Sequence, residues 1–131
     1  MIGVVLVAHA PLGQALSRCV DHVMGPGVAL QVCDIEADQD TEADIVRVLR
    51  HIRAADQGGG VAILADMLGA TPANIATEAM RRARAEGLQC CMATGMNLPM
   101  VLRTINYRKQ PLADVLSSAL VGASQAVLRV D

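Results

Sequence analysis

Short apolar runs alternate with amphipathic stretches along the chain, and this alternation predicts strands and helices in turn. Strands are expected at residues 2–8, 28–35, 61–65 and 88–94, which are dominated by aliphatic residues, Ala and Cys. Runs this short and apolar are typical of strands buried on both faces of a parallel sheet. A further short strand is expected in the tail, at residues 127–130.

Between these runs, apolar residues recur every three or four positions, which is typical of helices that bury one face. Helices are expected at residues 13–24, from residue 41 to the glycines at 58–60, at 71–86, at 98–106 and from 111 onward. Thr41 and Thr71 are expected to be N-cap residues, and Pro72 stands at the first helical position, where proline is favoured.

The order of these elements predicts the fold class. Strands that alternate with helices through short loops are joined by right-handed crossovers and lie parallel. We therefore expect an α/β fold with a doubly wound, mostly parallel central sheet, helices on both faces and a possible antiparallel edge strand. Such folds bind ligands beyond the carboxyl ends of their strands, which selects residues 9–13, 66–72 and 95–99.

Composition and charge exclude several function classes. The chain has one Tyr and no Phe or Trp, so it lacks the aromatic platforms on which single-stranded nucleic acids stack. Its net charge of −2 gives no basic surface for a polyanion. The start of the chain has no basic segment, and the last apolar helix carries Asp114, so neither a signal peptide nor a membrane span is expected.

The cysteine pattern indicates a compartment. None of the four cysteines belongs to a Cys-x-x-Cys pair, so zinc-binding and thioredoxin-like sites are disfavoured. Cys90 and Cys91 are adjacent in an apolar run and are expected to be buried free thiols. A reducing cytoplasm is the location that this usage favours.

Two residues at predicted strand ends carry the candidate chemistry. His9 and Asp66 would meet at one edge of the sheet if the first and third strands are neighbours. A carboxylate beside an imidazole fixes one tautomer and leaves the other ring nitrogen free to act as a nucleophile. Thr71 opens the next helix, and free N–H groups at a helix start bind anions. Together these features predict phosphoryl transfer through phosphohistidine.

Each of these residues also has a purely structural interpretation when it is taken alone. His9 could be a polar residue that ends a strand, and Asp66 and Thr71 could cap a helix. Their expected proximity is what favours a functional site. His22 and His51 lie on polar helix faces and are expected to be solvated.

Three segments, in this order and at this spacing, carry a resemblance to a known family. They are Val7-Ala8-His9-Ala10, Asp66-Met67-Leu68-Gly69-Ala70-Thr71-Pro72 and Gly95-Met96-Asn97-Leu98-Pro99-Met100. The chain resembles the IIA component of the mannose-family, carbohydrate-specific phosphotransferase system (PTS), over essentially its whole length. Residues 1–131 are accordingly expected to form a single mannose-type IIA domain.

The resemblance implies a phosphocarrier role. His9 would accept a phosphoryl group from the small phosphocarrier protein HPr, Asp66 would partner the histidine, and Thr71, with Gly69 and Ala70, would lie beside the phosphoryl group. A separate IIB-type protein would be the acceptor in phosphoenolpyruvate-dependent sugar phosphotransfer. The resemblance also implies a homodimer. No metal, other cofactor, nucleic-acid partner or direct membrane insertion is expected.

Three alternatives stay open at this level. The chain could be a regulatory IIA-like protein whose phosphorylation state controls a partner without sugar transport. It could be the phosphotransferase subunit of a dihydroxyacetone kinase, which shares the fold and a histidine after the first strand. It could also belong to a different class, a flavodoxin-like domain that binds a small molecule without being phosphorylated.

Overall fold

The computed structural model describes residues 1–37 and 39–131, and these residues build one parallel sheet. Its strands are β1 (Gly3–His9), β2 (Gln31–Ile35), β3 (Val61–Ala65) and β4 (Cys90–Ala93). They lie side by side in the order β2-β1-β3-β4, and every neighbouring pair is parallel. The strands that carry His9 and Asp66 at their ends are therefore neighbours at the centre of the sheet.

Five helices in the described residues cover both faces of the sheet. They are α1 (Leu12–Met24), α2 (Thr41–Ala55), α3 (Thr71–Ala85), α4 (Leu98–Asn106) and α5 (Leu112–Gln125). Helices α1, α4 and α5 contribute to one apolar cluster, and α2 and α3 contribute to the other. The predicted doubly wound α/β fold is confirmed.

Strand β1 belongs to both halves of the core. Its even-numbered residues Val4, Leu6 and Ala8 lie in the cluster with α1, α4 and α5. The alternate residues Val5 and Val7 lie in the cluster with α2 and α3. Residues 4–8 are all essentially inaccessible to solvent, as expected for a strand covered on both faces. His9, at the end of this rigid strand, is the first residue of β1 to reach solvent.

Two predicted N-caps are wrong by one residue. Asp40, and not Thr41, precedes α2, and its carboxylate accepts hydrogen bonds from the backbone N–H groups of Glu42 and Ala43. At α3, Ala70 is the extended residue before the helix, and its carbonyl accepts the first helical hydrogen bond, from Asn74. Thr71 is therefore the first residue inside α3.

The predicted edge strand at residues 127–130 is also wrong for this chain. The tail after α5 has no regular structure, and Val127 and Val130 are 77% and 86% exposed. The backbone N–H groups of Ala126 and Val127 bond back to the last turn of α5. The tail therefore starts as an extension of the helix, and no neighbouring strand takes up its remaining backbone groups within the described residues.

Other strand bounds differ because periodicity places ends poorly. Strand β2 begins at Gln31 and not at residue 28, and β4 covers Cys90–Ala93 and not the whole of residues 88–94.

All four cysteines are free thiols; Cys33 and Cys90 are buried, Cys91 is half-buried and Cys19 is exposed. Burial is thus confirmed for Cys90 and only partial for Cys91. No described helix is long and apolar enough to cross a membrane.

Candidate functional site

Adjacent strand ends bring His9 and Asp66 into contact. Val7 of β1 and Ala65 of β3 are register partners, so the two strands end at the same edge of the sheet. The backbone N–H of His9 donates to Asp66 Oδ2 over 2.9 Å, and His9 Nδ1 lies 2.7 Å from the same oxygen. The histidine side chain is 51% exposed and the carboxylate only 9%, so the imidazole faces outward from a buried acid.

Asp66 is held as an anion. Burial alone would raise the pKa of its carboxyl, but hydrogen bonds from the His9 backbone and ring, the His9 charge and the N–H of Met67 outweigh that effect. The pKa of Asp66 therefore lies below its ordinary value. An ionised carboxylate can only accept hydrogen bonds, so the proton between the two side chains belongs to His9 Nδ1. The Nε2 atom then carries the free lone pair.

Thr71 lies in the same cleft as His9. A cleft of about 470 Å³ opens between them, lined also by Ile35, Glu36 and Thr41. Gly69 precedes this helix start with a φ of +84°, a conformation that favours glycine. Ala70 then extends the chain into α3, whose first turn has no side-chain cap among the described residues. Thr71 is exposed, and this helix start therefore lines the cleft beside His9.

The other helices that follow strands at this edge have polar caps. Asp34 accepts from the backbone N–H groups of Gly13 and Gln14 at the start of α1, at 2.8 and 3.1 Å. Asp40 caps α2, and Asn97 caps α4 by accepting from the N–H of Met100. Within residues 1–37 and 39–131, α3 is the helix at this edge whose start has no side-chain partner. Free N–H groups at such a start attract an anion.

The third predicted segment braces this edge of the sheet. The N–H groups of Gly95 and Met96 donate to the carbonyl oxygens of Asp66 and Ala65. The amide of Asn97 donates to the carbonyl of Ala123 in α5. This segment therefore supports the strand end that carries Asp66, without reaching His9 by any hydrogen bond among the described residues.

The remaining histidines lie elsewhere. His22 is exposed on α1, as predicted. His51 is half-buried, and its Nδ1 lies 2.6 Å from Oε1 of Gln31, so the prediction that it is solvated is wrong. Burial and the nearby Arg47 and Arg50 lower its pKa. No three His, Cys, Asp or Glu side chains in the described part of the chain are grouped to hold a metal ion.

Sequence reasoning missed Asp34 and Asp40 at this edge. Asp34 lies inside an apolar run that predicts a buried strand, and Asp40 lies one residue before the threonine expected to cap α2. The available signal for Asp40 was an acidic residue directly before a helix, where carboxylates favour the helix start. For Asp34 the only signal was a charged residue inside an otherwise apolar strand.

A family model described as the PTS system fructose IIA component matches residues 3–121. A search of curated protein sequences finds no match.

Solved structures share the fold over nearly the whole chain. The phosphotransferase system component EIIA from Streptococcus agalactiae superposes with a TM-score of 0.87 at 17% identity, covering 98% of this chain and 97% of that one. The mannose/sorbose specific IIA subunit from Enterococcus faecalis gives 0.86 at 18% identity, covering 99% and 95%. The PTS IIA protein associated with the fucose utilization operon from Streptococcus pneumoniae gives 0.72 at 12%, covering 97% and 91%. At these identities the likeness shows the fold.

The lowered pKa of Asp66 predicts an acid-sensitive contribution to stability. A carboxyl whose folded pKa lies below its unfolded value, here 3.8, stabilises the fold above that value, and the stabilisation is lost as the pH falls through the folded pKa. We expect Asp66→Asn to lower the free energy of unfolding by about 1–3 kcal/mol at pH 7, as for hydrogen bonds to a charged group. The difference from wild type should shrink below pH 3.8.

Urea denaturation at pH 7 and at acid pH measures this difference. Asp21→Asn, which alters an exposed aspartate on α1, is the control and should change the free energy of unfolding little at either pH. A gap between wild type and Asp66→Asn that stays constant into acid would show that ionisation of Asp66 does not stabilise the fold.

Proposed function

The chain belongs to the PTS IIA family of the fructose and mannose type, and we propose that it is a phosphocarrier that uses His9. It accepts a phosphoryl group from an HPr-like donor protein and passes it to a separate IIB-type protein in phosphoenolpyruvate-dependent sugar phosphotransfer. The observation that carries this proposal is the 2.7 Å contact between His9 Nδ1 and Asp66 Oδ2. It leaves Nε2 as the nucleophilic atom on an exposed ring.

The transfer step follows from that assignment. The lone pair of His9 Nε2 attacks the phosphorus of the donor's phosphohistidine in line with the bond to the donor nitrogen. The new N–P bond forms as the donor's N–P bond breaks, and the electron pair of the broken bond returns to the donor imidazole. The substituted His9 ring is a cation that keeps its Nδ1 proton, and the negative charge of Asp66 stabilises it.

Binding of the phosphoryl oxygens is assigned to the start of α3. The Thr71 hydroxyl and the backbone N–H groups of Thr71 and Ala73 donate to these oxygens, since Pro72 between them has no N–H. The turn at Gly69 and Ala70 orients the helix start towards His9. The absence of a side-chain cap on α3 among the described residues supports this role. Donors already in place stabilise the transferring group without reorganisation at the moment of transfer.

The charge of the cleft supports a protein donor over a free metabolite. The described lining includes Glu36 and Asp44 and no Lys or Arg. Asp44 is buried and paired with Arg47, but a small polyanion such as phosphoenolpyruvate would meet the exposed carboxylate of Glu36 with no Lys or Arg among the described lining residues. A donor protein can bring basic side chains together with its phosphohistidine, so that the two surfaces complement each other in charge. The cytoplasm, where such donors act, is the proposed location.

Phosphorylation is expected to depend on His9 alone. The protein is incubated with the general phosphotransferase proteins and phosphoenolpyruvate, and its intact mass is measured. Wild type should gain one phosphoryl group, and His9→Ala should gain none. The variant His22→Ala is the matched control, because it removes another exposed histidine from the neighbouring helix and should leave the gain intact.

The variant Asp66→Asn, in the same assay, distinguishes the role of Asp66 from that of the nucleophile His9. It keeps the shape of the side chain but removes the charge that holds the Nδ1 proton, so the rate should fall about 10²–10⁴-fold, as for the orienting carboxylate of a catalytic triad. A phosphoryl gain by His9→Ala, or no gain by wild type, would contradict the proposed function. Subsequent loss of the phosphoryl group to a IIB-type protein distinguishes the carrier from a regulatory protein.

A homodimer is part of the proposal. The tail exposes Val127, Leu128 and Val130, and α5 exposes Leu120 and Val121 at 49% each. Strand β4 is a short edge of the sheet. Exposed apolar residues and an edge strand are each suited to pairing with a second copy of the same chain, which removes both from water.

Light scattering after size exclusion at micromolar concentration measures this state. The expected mass is twice 13.7 kDa, and truncation after Gln125 should shift the equilibrium towards monomer because it removes the apolar tail. A mass of 13.7 kDa at every concentration would rule out the dimer. A full dimer in the truncated chain would show that the tail does not join the subunits.

A further inference from the structure

Asp34 links the end of β2 to the turn that carries His9. Building on the function proposed above, we propose that Asp34 is a positioning residue for His9. It acts through the first turn of α1 and does not touch the transferred group. Two consequences follow: the carboxylate holds the backbone after His9 in register, and it keeps the phosphoryl group away from the start of α1.

Backbone contacts around the turn carry the first consequence. His9 and Ile35 are register partners, and the next N–H along, that of Ala10, donates to the Ile35 carbonyl over 3.1 Å. The carboxylate of Asp34 accepts hydrogen bonds from the backbone N–H groups of Gly13 and Gln14. The end of β2 therefore binds the chain on both sides of the turn that follows His9. A small displacement of a reacting group can reduce a transfer rate about 10²-fold. The backbone position after His9 therefore affects the transfer rate through the position of Nε2.

Gly13 shows that the close approach of Asp34 is built into the sequence. A Cβ atom at residue 13 would lie 2.5 Å from Asp34 Oδ1 and 2.9 Å from Val32 Cγ1. Real Cβ atoms do not tolerate such distances, so any larger residue would push the carboxylate from the helix start. Glycine disfavours helices by about 1 kcal/mol relative to alanine, and its place in the first turn of α1 is explained by this contact.

Arg47 of α2 binds the backbone of Asp34. Its Nη2 donates to the Asp34 carbonyl over 2.7 Å and to Oδ1 of the buried Asp44 over 3.3 Å. The guanidinium thus connects α2 to the end of β2. Because the backbone of Asp34 is fixed by Arg47, its carboxylate presents a rigid acceptor to α1.

The second consequence is electrostatic. A carboxylate at the start of α1 satisfies two of its free N–H groups and neutralises the positive end of the helix dipole. The negative charge of Asp34 repels a phosphoryl group from the start of α1, whereas the start of α3 has no side-chain cap among the described residues and can donate hydrogen bonds to it. Asp34 thereby favours placement of the anion at Thr71, which lines the same cleft as His9.

Three variants test this role against simple helix capping. Asp34→Ala removes the carboxylate, and Gly13→Ala displaces it while leaving Asp34 in the chain. Asp40→Ala is the matched control, because Asp40 also accepts from two N–H groups at a helix start at this edge, but its helix α2 does not follow His9. All three are compared for unfolding midpoint, so that a loss of stability is separated from a loss of positioning.

Two measurements are made on each variant. The first is the initial rate of phosphoryl gain from the general phosphotransferase proteins, over a range of donor concentrations. Asp34→Ala and Gly13→Ala should lower the maximal rate about 10–100-fold with little change in half-saturating donor concentration, and Asp40→Ala should lower it less than about threefold. The second, which needs no donor, is the 15N chemical shifts of the unphosphorylated His9 ring. These should show Nδ1 protonated in wild type and Asp40→Ala, and a mixture of tautomers in Asp34→Ala and Gly13→Ala.

The outcomes separate this proposal from the function on which it rests. If wild type is not phosphorylated, the phosphocarrier function fails, and the 15N shifts alone decide the role of Asp34. Rates and shifts in Asp34→Ala and Gly13→Ala that match those of Asp40→Ala would overturn the proposal, because Asp34 would then be an ordinary helix cap. If Asp34→Ala does not fold, Gly13→Ala carries the same comparison with the carboxylate still present.

Discussion

The hydrogen bond between His9 Nδ1 and Asp66 Oδ2, 2.7 Å long, is the interaction on which the rest of the site depends. It joins the ends of two neighbouring strands, and it settles which ring nitrogen keeps a lone pair. The same carboxylate oxygen accepts the His9 backbone N–H, so the residue is fixed by main chain and side chain together. With the ring oriented in this way, Nε2 faces outward and a partner can approach it from solvent.

The fold makes this bond possible by placing the two strands at the centre of the sheet. Strand β1 packs aliphatic side chains against helices on both faces, and a chain with a single aromatic residue achieves this with Val, Leu, Ile and Ala. Close packing extends to the far end of β1, where a Cβ at Gly3 would lie 2.1 Å from the carbonyl oxygen of Ala55. A strand held this tightly along its length presents His9 with little freedom to move.

The pattern of apolar runs predicted the carboxyl ends of β1 and β3 to within one residue, because a fully buried run must stop where the chain reaches solvent. That constraint located His9 and Asp66, and parallel crossovers then implied a common edge. Caps were harder to predict, because Thr41 and Asp40 are both favourable N-cap residues and only backbone geometry separates them. Asp34 was missed because it is a single charged residue in an otherwise apolar strand. Its hydrogen bonds are to α1, which is distant from it in sequence. The tail was predicted as a strand from its β-branched residues, but propensity supplies no hydrogen-bonding partner.

The site of phosphorylation on the His9 ring tests the central claim most directly. Protein labelled with 15N at histidine is phosphorylated by the general phosphotransferase proteins, and the 15N and 31P spectra identify the nitrogen bonded to phosphorus. The account predicts a single phosphohistidine at His9, with phosphorus on Nε2 and the proton retained on Nδ1. Phosphorus on Nδ1 would contradict it, because that atom cannot carry the group and keep its hydrogen bond to Asp66.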